Sequence, residues 1–278
     1  MRQNRINPDI IDCILLLFFL TLVVFVIFPL FWMLVTSFKN SEEISSIPPT
    51  IFHQKWYFEN YLKIFTDRYF PRYFLNSVII SVIVTAVSVL GSALMGFVFA
   101  KYKFPGKTVL FYAILLTIMV PFEAYIVQTY TIVRFFKSTN TYFGLVFPSI
   151  ISSFGIFYMR QNMESIPDAL LEAARIDGAG NYYILGKIVI PLSVSAISVL
   201  SLLLFLIEWS SYLWPLLVAS KKEMFVLEIG LTLLQDEYII DYGVIMSGCA
   251  VALVPVFLLF IFFRRYIMEG IAMSGIKG

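Results

Sequence analysis

The chain has 278 residues, 60% of them hydrophobic and only 14% charged, with a net charge of +2 and a mean hydropathy of +0.86. A water-soluble domain does not carry that balance, and so small a net charge gives no reason to expect a nucleic-acid partner. Cys13 and Cys249 have no spacing partner, so they define neither a disulfide framework nor a metal site.

A bilayer core about 30 Å thick needs roughly 20 apolar residues per helical crossing. In chain order, residues 13–38 and 73–100 contain no charged side chain, 108–133 carry only Glu123, 138–159 none, 188–220 only Glu208 and 242–263 none. The pattern predicts an all-α, polytopic membrane protein, a single transmembrane domain with six helices at about 12–38, 73–100, 108–133, 138–159, 188–218 and 242–263. A transmembrane β-barrel would need short alternating segments, whereas these runs are apolar on every side. The first run follows Arg2 and Arg5 as a signal peptide would. Its 26 uncharged residues exceed an apolar signal region and no small-residue cleavage site follows, so it reads as the first helix.

Six crossings put both termini on one side with the loops 101–107 and 160–187, and place 39–72, 134–137 and 221–241 on the other. The first side holds 11 Lys and Arg residues and the second 9, a weak bias. Lys101, Lys103 and Lys107 in one short loop, with Arg264 and Arg265 after the sixth run, favour a cytoplasmic location for the termini.

Gly106-Lys107-Thr108 looks like the end of a phosphate-binding loop, but Lys101 stands where the first glycine belongs and the stretch leads into a membrane helix, so no nucleotide site is expected. Glu123 and Glu208 are carboxylates at membrane depth, which makes each a candidate for the transport pathway, with Trp209 beside the second. The plainer reading of either glutamate, and the one favoured, is a polar group hydrogen-bonded between helices near the interface. His53, the only histidine, reads as a surface residue.

The longest loop on the terminal side holds a helix of about three turns. Ser165 reads as its cap, Pro167 and Asp168 as its first turn and Gly178 as its stop. Ala169, Ala173 and Ile176 share one face, with Leu170 and Ala174 beside them. A helix this short is marginal alone in water and must dock on something, either the bilayer, its own domain or a partner.

Glu172-Ala173-Ala174, then Gly178, Ile188 and Pro191, resemble the E-A-A-x-x-x-G-x(9)-I-x-L-P signature of permeases of binding-protein-dependent ABC importers, with Ile190 in place of Leu. Glu208-Trp209 through Leu217 resembles the W-N-x-F-L-W-P-L-L run of carbohydrate-uptake permeases, with Ser210 for Asn. The tail from Arg265 to Gly278 is similar to their R-Y-F-V-x-G-x-x-x-G-x-V-K-G ending, with Glu269 and Ser274 departing.

The resemblance, to the maltose-type second permease, implies a type I importer transmembrane domain in the bacterial cell membrane with both termini cytoplasmic. It implies that Glu172, Ala173, Ala174, Asp177 and Gly178 couple the chain to an ABC ATPase, and that Gly270, Ser274, Gly275 and Lys277 form a second ATPase contact. The implied partners are a second permease, an ATPase dimer that alone binds ATP, an external solute-binding protein and a sugar or small oligosaccharide. The chain itself would be no enzyme and hold no cofactor. The acidic external segment, with Glu223, Glu228, Asp236, Glu237 and Asp241, is expected to meet the binding protein. Permeases for glycerol phosphate or polyols would look much alike. A secondary transporter would show broken helices in two repeated halves and an ion site, and an intramembrane enzyme would need a convergent nucleophile and base. Neither pattern is evident.

Overall fold

The computed structural model describes the backbone of residues 8–52, 55–235 and 241–275, with side chains between 12 and 266 in those ranges and at Met268. Among these residues all regular structure is helical, as the uninterrupted apolar runs require in a solvent that cannot satisfy an open sheet edge. Apart from single turns such as Ser41–Ile44, the helices among the described residues are α1 (Pro8–Ser37), α2 (Glu59–Thr66), α3 (Phe70–Lys101), α4 (Lys107–Ile118), α5 (Ile126–Phe135), α6 (Tyr142–Ser149), α7 (Ser153–Glu164), α8 (Asp168–Ile176), α9 (Asn181–Leu192), α10 (Val194–Trp209), α11 (Leu213–Val218), α12 (Leu227–Leu233) and α13 (Tyr242–Gly275). By length and apolarity α1, α3 and α13 can each cross a bilayer alone, and two bent pairs, α6 with α7 and α9 with α10, raise the number to as many as five.

Two compact units divide the chain. The first comprises Met1–Asp67 and Leu231–Leu253. Here Asn60, wholly buried, donates from its side-chain amide to the Ser37 carbonyl at 3.0 Å and the Lys39 carbonyl at 2.9 Å. It thereby satisfies the end of α1, whose last carbonyls have no helical partner. Lys39 is buried as well. Its ammonium donates to the Thr50 carbonyl and sits 5.0 Å over the Trp32 ring, and desolvation pulls its pKa below the ordinary lysine value. Lys63 pairs with Asp241 at 3.0 Å, and the other Asp241 oxygen accepts from the backbone of Gly243 and Val244, capping α13.

The second unit, Arg68–Gly230 with Val254–Gly278, is organised around α3, which packs most extensively on α7 and α10. That contact is close because one stripe of α3 is small: Ser88, Ser92, Ala93 and Gly96 are all buried. A side-chain carbon added at Gly96 would lie 2.7 Å from the Met159 Cβ and 2.9 Å from the Arg160 nitrogen. Without a hydrophobic drive between helices in lipid, such close approach supplies the packing. One core cluster joins Phe97, Met159, Met163, Leu171, Ile184 and Leu200, and a second joins Ile80, Val84, Val133, Leu145, Trp214 and Ile229. The segment read as an external loop folds back into the second cluster. Asn76, buried on α3, donates to the Glu223 and Phe225 carbonyls at 2.9 and 2.8 Å and accepts from the Tyr142 hydroxyl at 2.7 Å, while the Ser77 hydroxyl accepts from the Leu227 backbone.

Candidate coupling element and solute pathway

Between α7 and α10 the chain makes two sharp moves. The Ser165 hydroxyl donates back to the Asn162 carbonyl at 2.7 Å and closes α7. Pro167 is extended and α8 begins at Asp168. This corrects the expectation that Ser165 caps α8: the serine is spent on the preceding helix, and the Asp168 carboxylate is taken by Lys101. That lysine, at the end of α3 with a side chain only 5% exposed, donates to Asp168 at 2.7 Å and to the Ile166 carbonyl. Its hydrogen bond and, secondarily, its charge hold the Asp168 carboxyl below the usual carboxylate range. Arg175, near the other end of α8, lies 5.9 Å over the ring of Tyr102.

The foot of α8 is a single buried leucine, Leu171, set in the cluster of Met159, Met163 and Ile184. Glu172, Ala173 and Ile176 are exposed, Ile176 at 87%, and Ala174 packs half-buried on the cluster. The helix ends where Gly178 takes a left-handed φ of 84°, a conformation a β-carbon disfavours, with its amide donating to the Arg175 carbonyl. Asp177 and Gly178, with Tyr183 and Lys187 of α9, line a cleft of about 550 Å³. The α9 ladder widens to a π-turn at Leu185–Val189, and α9 meets α10 at an 80° bend around Ser193, two residues past Pro191.

Toward the opposite end of α7 the helices are interrupted. At Pro121 the chain leaves α4 through a single 3₁₀ turn, Phe122–Ala124, before α5; residues 151–152 are irregular between α6 and α7, which bend by 47°; and α10 stops at Trp209 before α11 resumes at Leu213. A cavity of about 830 Å³ lies along these breaks, lined by Thr117, Phe122, Tyr125, Ile151, Phe154 and Ile207 among others. The Thr117 and Ser153 hydroxyls in its wall are 2.8 Å apart. Phe122 packs edge-on to Trp214 with ring centres 5.8 Å apart, and the Trp214 indole N–H donates to the Gly144 and Leu145 carbonyls.

Glu123 is exposed in the turn beside this cavity. Glu208 is buried and hydrogen-bonded with Ser149, whose carbonyl accepts from the Ser88 hydroxyl. Trp209 is stacked on Phe205 at 5.6 Å and meets Phe74 edge-on at 5.8 Å. The structure therefore does not bring the three together: Glu123 flanks the cavity, and Glu208 and Trp209 sit in packed interior. Gly270, Ser274 and Gly275 lie on the last turns of α13, where side chains are outside the described set; Lys277, His53, Asp236 and Glu237 fall outside the described residues. Sequence reasoning missed Lys101 as the clamp on α8, reading it only as one of a basic trio. A lysine sharing its side of the bilayer with an aspartate at a helix start was the available signal.

Residues 88–272 match the family model described as the binding-protein-dependent transport system inner membrane component. The arabinooligosaccharides transport system permease protein AraQ of Halalkalibacterium halodurans is 32% identical over 279 residues, covering 99% of this chain and all of the relative. The sn-glycerol-3-phosphate transport system permease protein UgpE of Brucella abortus is 30% identical over 258 residues, covering 90% of this chain and 92% of the relative. Among solved structures, a bacterial ABC transporter involved in the import of the acidic polysaccharide alginate superposes with a TM-score of 0.85 at 18% identity, over 96% of this chain and 100% of that one, which shows a common fold. With the signature residues gathered on α8 and α9 and the family model spanning most of the helices, this chain belongs to the family of multi-pass inner-membrane permeases of binding-protein-dependent ABC importers.

Proposed function

We propose that this chain is one of two permease subunits of an ATP-driven importer, carrying a sugar or small oligosaccharide handed over by an external binding protein. It spans the membrane six times, by α1, α3, α4 with α5, α6 with α7, α10 with α11, and α13, with both termini in the cytoplasm and α9 turned along the membrane surface by its 80° bend. The observation that carries the reading is α8. It is a short helix rooted by Leu171, clamped by Lys101 and bare on its Ala169–Ala173–Ile176 face, which is what a seat for a separate ATPase subunit requires. Glu172, Ala173, Ala174, Asp177 and Gly178 form that seat, and the end of α13, with Gly270, Ser274, Gly275 and Lys277, is a second contact. ATP is bound by the ATPase subunits, and this chain holds no cofactor. On the outer side, Lys221, Lys222 and Glu223 are exposed and offer a polar rim to the binding protein.

The similarity to a glycerol-phosphate permease supports a phosphorylated polyol as a second reading of the solute. Proteoliposomes holding this chain, its partner permease, the ATPase and the binding protein test both. The expected result is uptake of labelled arabinotriose or another neutral oligosaccharide that needs internal or external ATP at the ATPase and persists when ionophores collapse ion gradients. Uptake that follows an ion gradient without ATP would overturn the assignment, and uptake of glycerol 3-phosphate alone would select the second reading.

A further inference from the structure

Backbone that leaves its helical ladder inside a hydrocarbon layer has no solvent to pair with, so interruptions at membrane depth survive only against protein or against a water-filled cavity. Three consecutive crossings of this chain are interrupted, at Pro121, at residues 151–152 and at residues 210–212; the first two breaks supply residues to the wall of the cavity of about 830 Å³, and the helix before the third supplies Ile207. Discontinuous helices of this kind supply carbonyls and amides to a solute near the membrane midplane. The size falls in the range of small-molecule sites, about 300–1,000 Å³. Its wall is bare in this chain: Ile151 is 73% exposed, Ile207 65% and Tyr125 42%.

The lining then selects the solute. Phe122, Tyr125 and Phe154 present aromatic faces and edges, Thr117 and Ser153 present hydroxyls, and none of the lining residues is Asp, Glu, Lys, Arg or His. Apolar C–H faces with hydroxyls between them fit such a wall, whereas a phosphate would be left without a cationic partner, at a large desolvation cost. Phe122 is held in place from behind by Trp214, whose own N–H is fully engaged, so that part of the wall is preorganised. We propose that this cavity is a binding site in this subunit for a neutral oligosaccharide, its open side closed by the partner permease. The proposal rests on the importer reading above and goes further by assigning solute contact to this chain and excluding a phosphorylated solute.

The test uses the assembled importer in proteoliposomes, with Cys13 and Cys249 replaced by serine and single cysteines placed by Ile151→Cys, Ile207→Cys and, as a lipid-side control, Val23→Cys half-way along α1. A charged, membrane-impermeant methanethiosulfonate should modify the first two about tenfold faster than the third, because only a wet cavity admits it. A mixture of neutral di- to tetrasaccharides, given at about twice its half-saturating uptake concentration, should slow that modification about threefold by occupancy, and glycerol 3-phosphate should not. In parallel, Tyr125→Ser should raise the half-saturating oligosaccharide concentration about fivefold or more and Tyr125→Phe should restore it, as loss and return of a ring contact require. Reaction only with lipid-soluble reagents would mean that acyl chains fill the cavity, and equal reaction with and without saccharide would mean a wet passage without a site; either overturns the proposal. ATP-driven saccharide uptake measured in the same vesicles separates this failure from failure of the importer assignment.

Discussion

Lys101 and Asn76 each tie the central helix α3 to a segment proposed to meet a partner. Lys101 holds Asp168 and the Ile166 carbonyl at the start of α8. Lys101→Met keeps the buried stem and removes both bonds, so solute moved per ATP should fall about threefold while the chain remains in the membrane, as loss of one to two net hydrogen bonds implies; unchanged coupling would show that α8 needs no tether. The sign with pH is fixed by the lowered Asp168 pKa. A carboxyl depressed in the folded state contributes above its ordinary pKa of about 4 and loses that contribution only as pH falls through the lowered value, so this tether is constant across neutral pH. Asn76 uses both amide hydrogens on the Glu223 and Phe225 carbonyls and its oxygen on Tyr142. Asn76→Leu leaves two part-buried carbonyls without their donor and should cost about 1–3 kcal/mol, read as a lowered thermal midpoint of the purified complex in detergent; a midpoint within error of wild type would mean that water replaces the amide.

At the scale of elements, the crossing of α3 on α7 depends on Gly96. Gly96→Leu would drive a branched side chain into the Met159 Cβ and the Arg160 backbone, neither of which can swing away. Overpacking of this kind costs about 1–3 kcal/mol or more, and the expected readout is reduced membrane yield of the variant relative to Gly91→Leu, whose position has open space. Equal yields would mean that the two helices separate freely. What the sequence discloses about elements follows from chemistry that is local. Gly178 marks the end of α8 because a left-handed residue stops the helix there. The run 108–133 predicts one uninterrupted helix, whereas the chain breaks at Pro121, since a proline withholds an amide. The break at residues 151–152 carries no proline, and the serine that seemed to cap α8 closes α7 instead, since a Ser-x-Pro stretch between two helices serves either equally well. Lys101 lies 67 residues from Asp168, and no spacing rule reaches that far.

For the molecule as a whole, α7 is the shared member. Ser153 and Phe154 at one end line the cavity, and Met163 at the other packs in the cluster that receives Leu171, about 15 Å away along a helix rising 1.5 Å per residue. Packed interiors shift between discrete arrangements instead of deforming smoothly, so a displacement of α8 would reach the cavity wall as a movement of α7 with α3 and α10. On the proposed coupling role of α8, a snug fit of the ATPase against its exposed face is what lets hydrolysis do work on the rest of the chain. The composition and the uninterrupted apolar runs made the membrane class legible from the start, whereas the cavity was not, because it arises where residues near the breaks at Pro121 and 151–152, far apart in sequence, meet Ile207. The most direct measurement is the ratio of solute transported to ATP hydrolysed by the reconstituted importer carrying Ala173→Trp, with Gly178→Val alongside. Ala173 is exposed, so the indole leaves the fold intact and obstructs only the partner's seat. The expected result is normal membrane insertion with a ratio reduced about tenfold or loss of ATPase association, the scale on which a few kcal/mol of lost interface acts. A complex that assembles and transports at the wild-type ratio would contradict it.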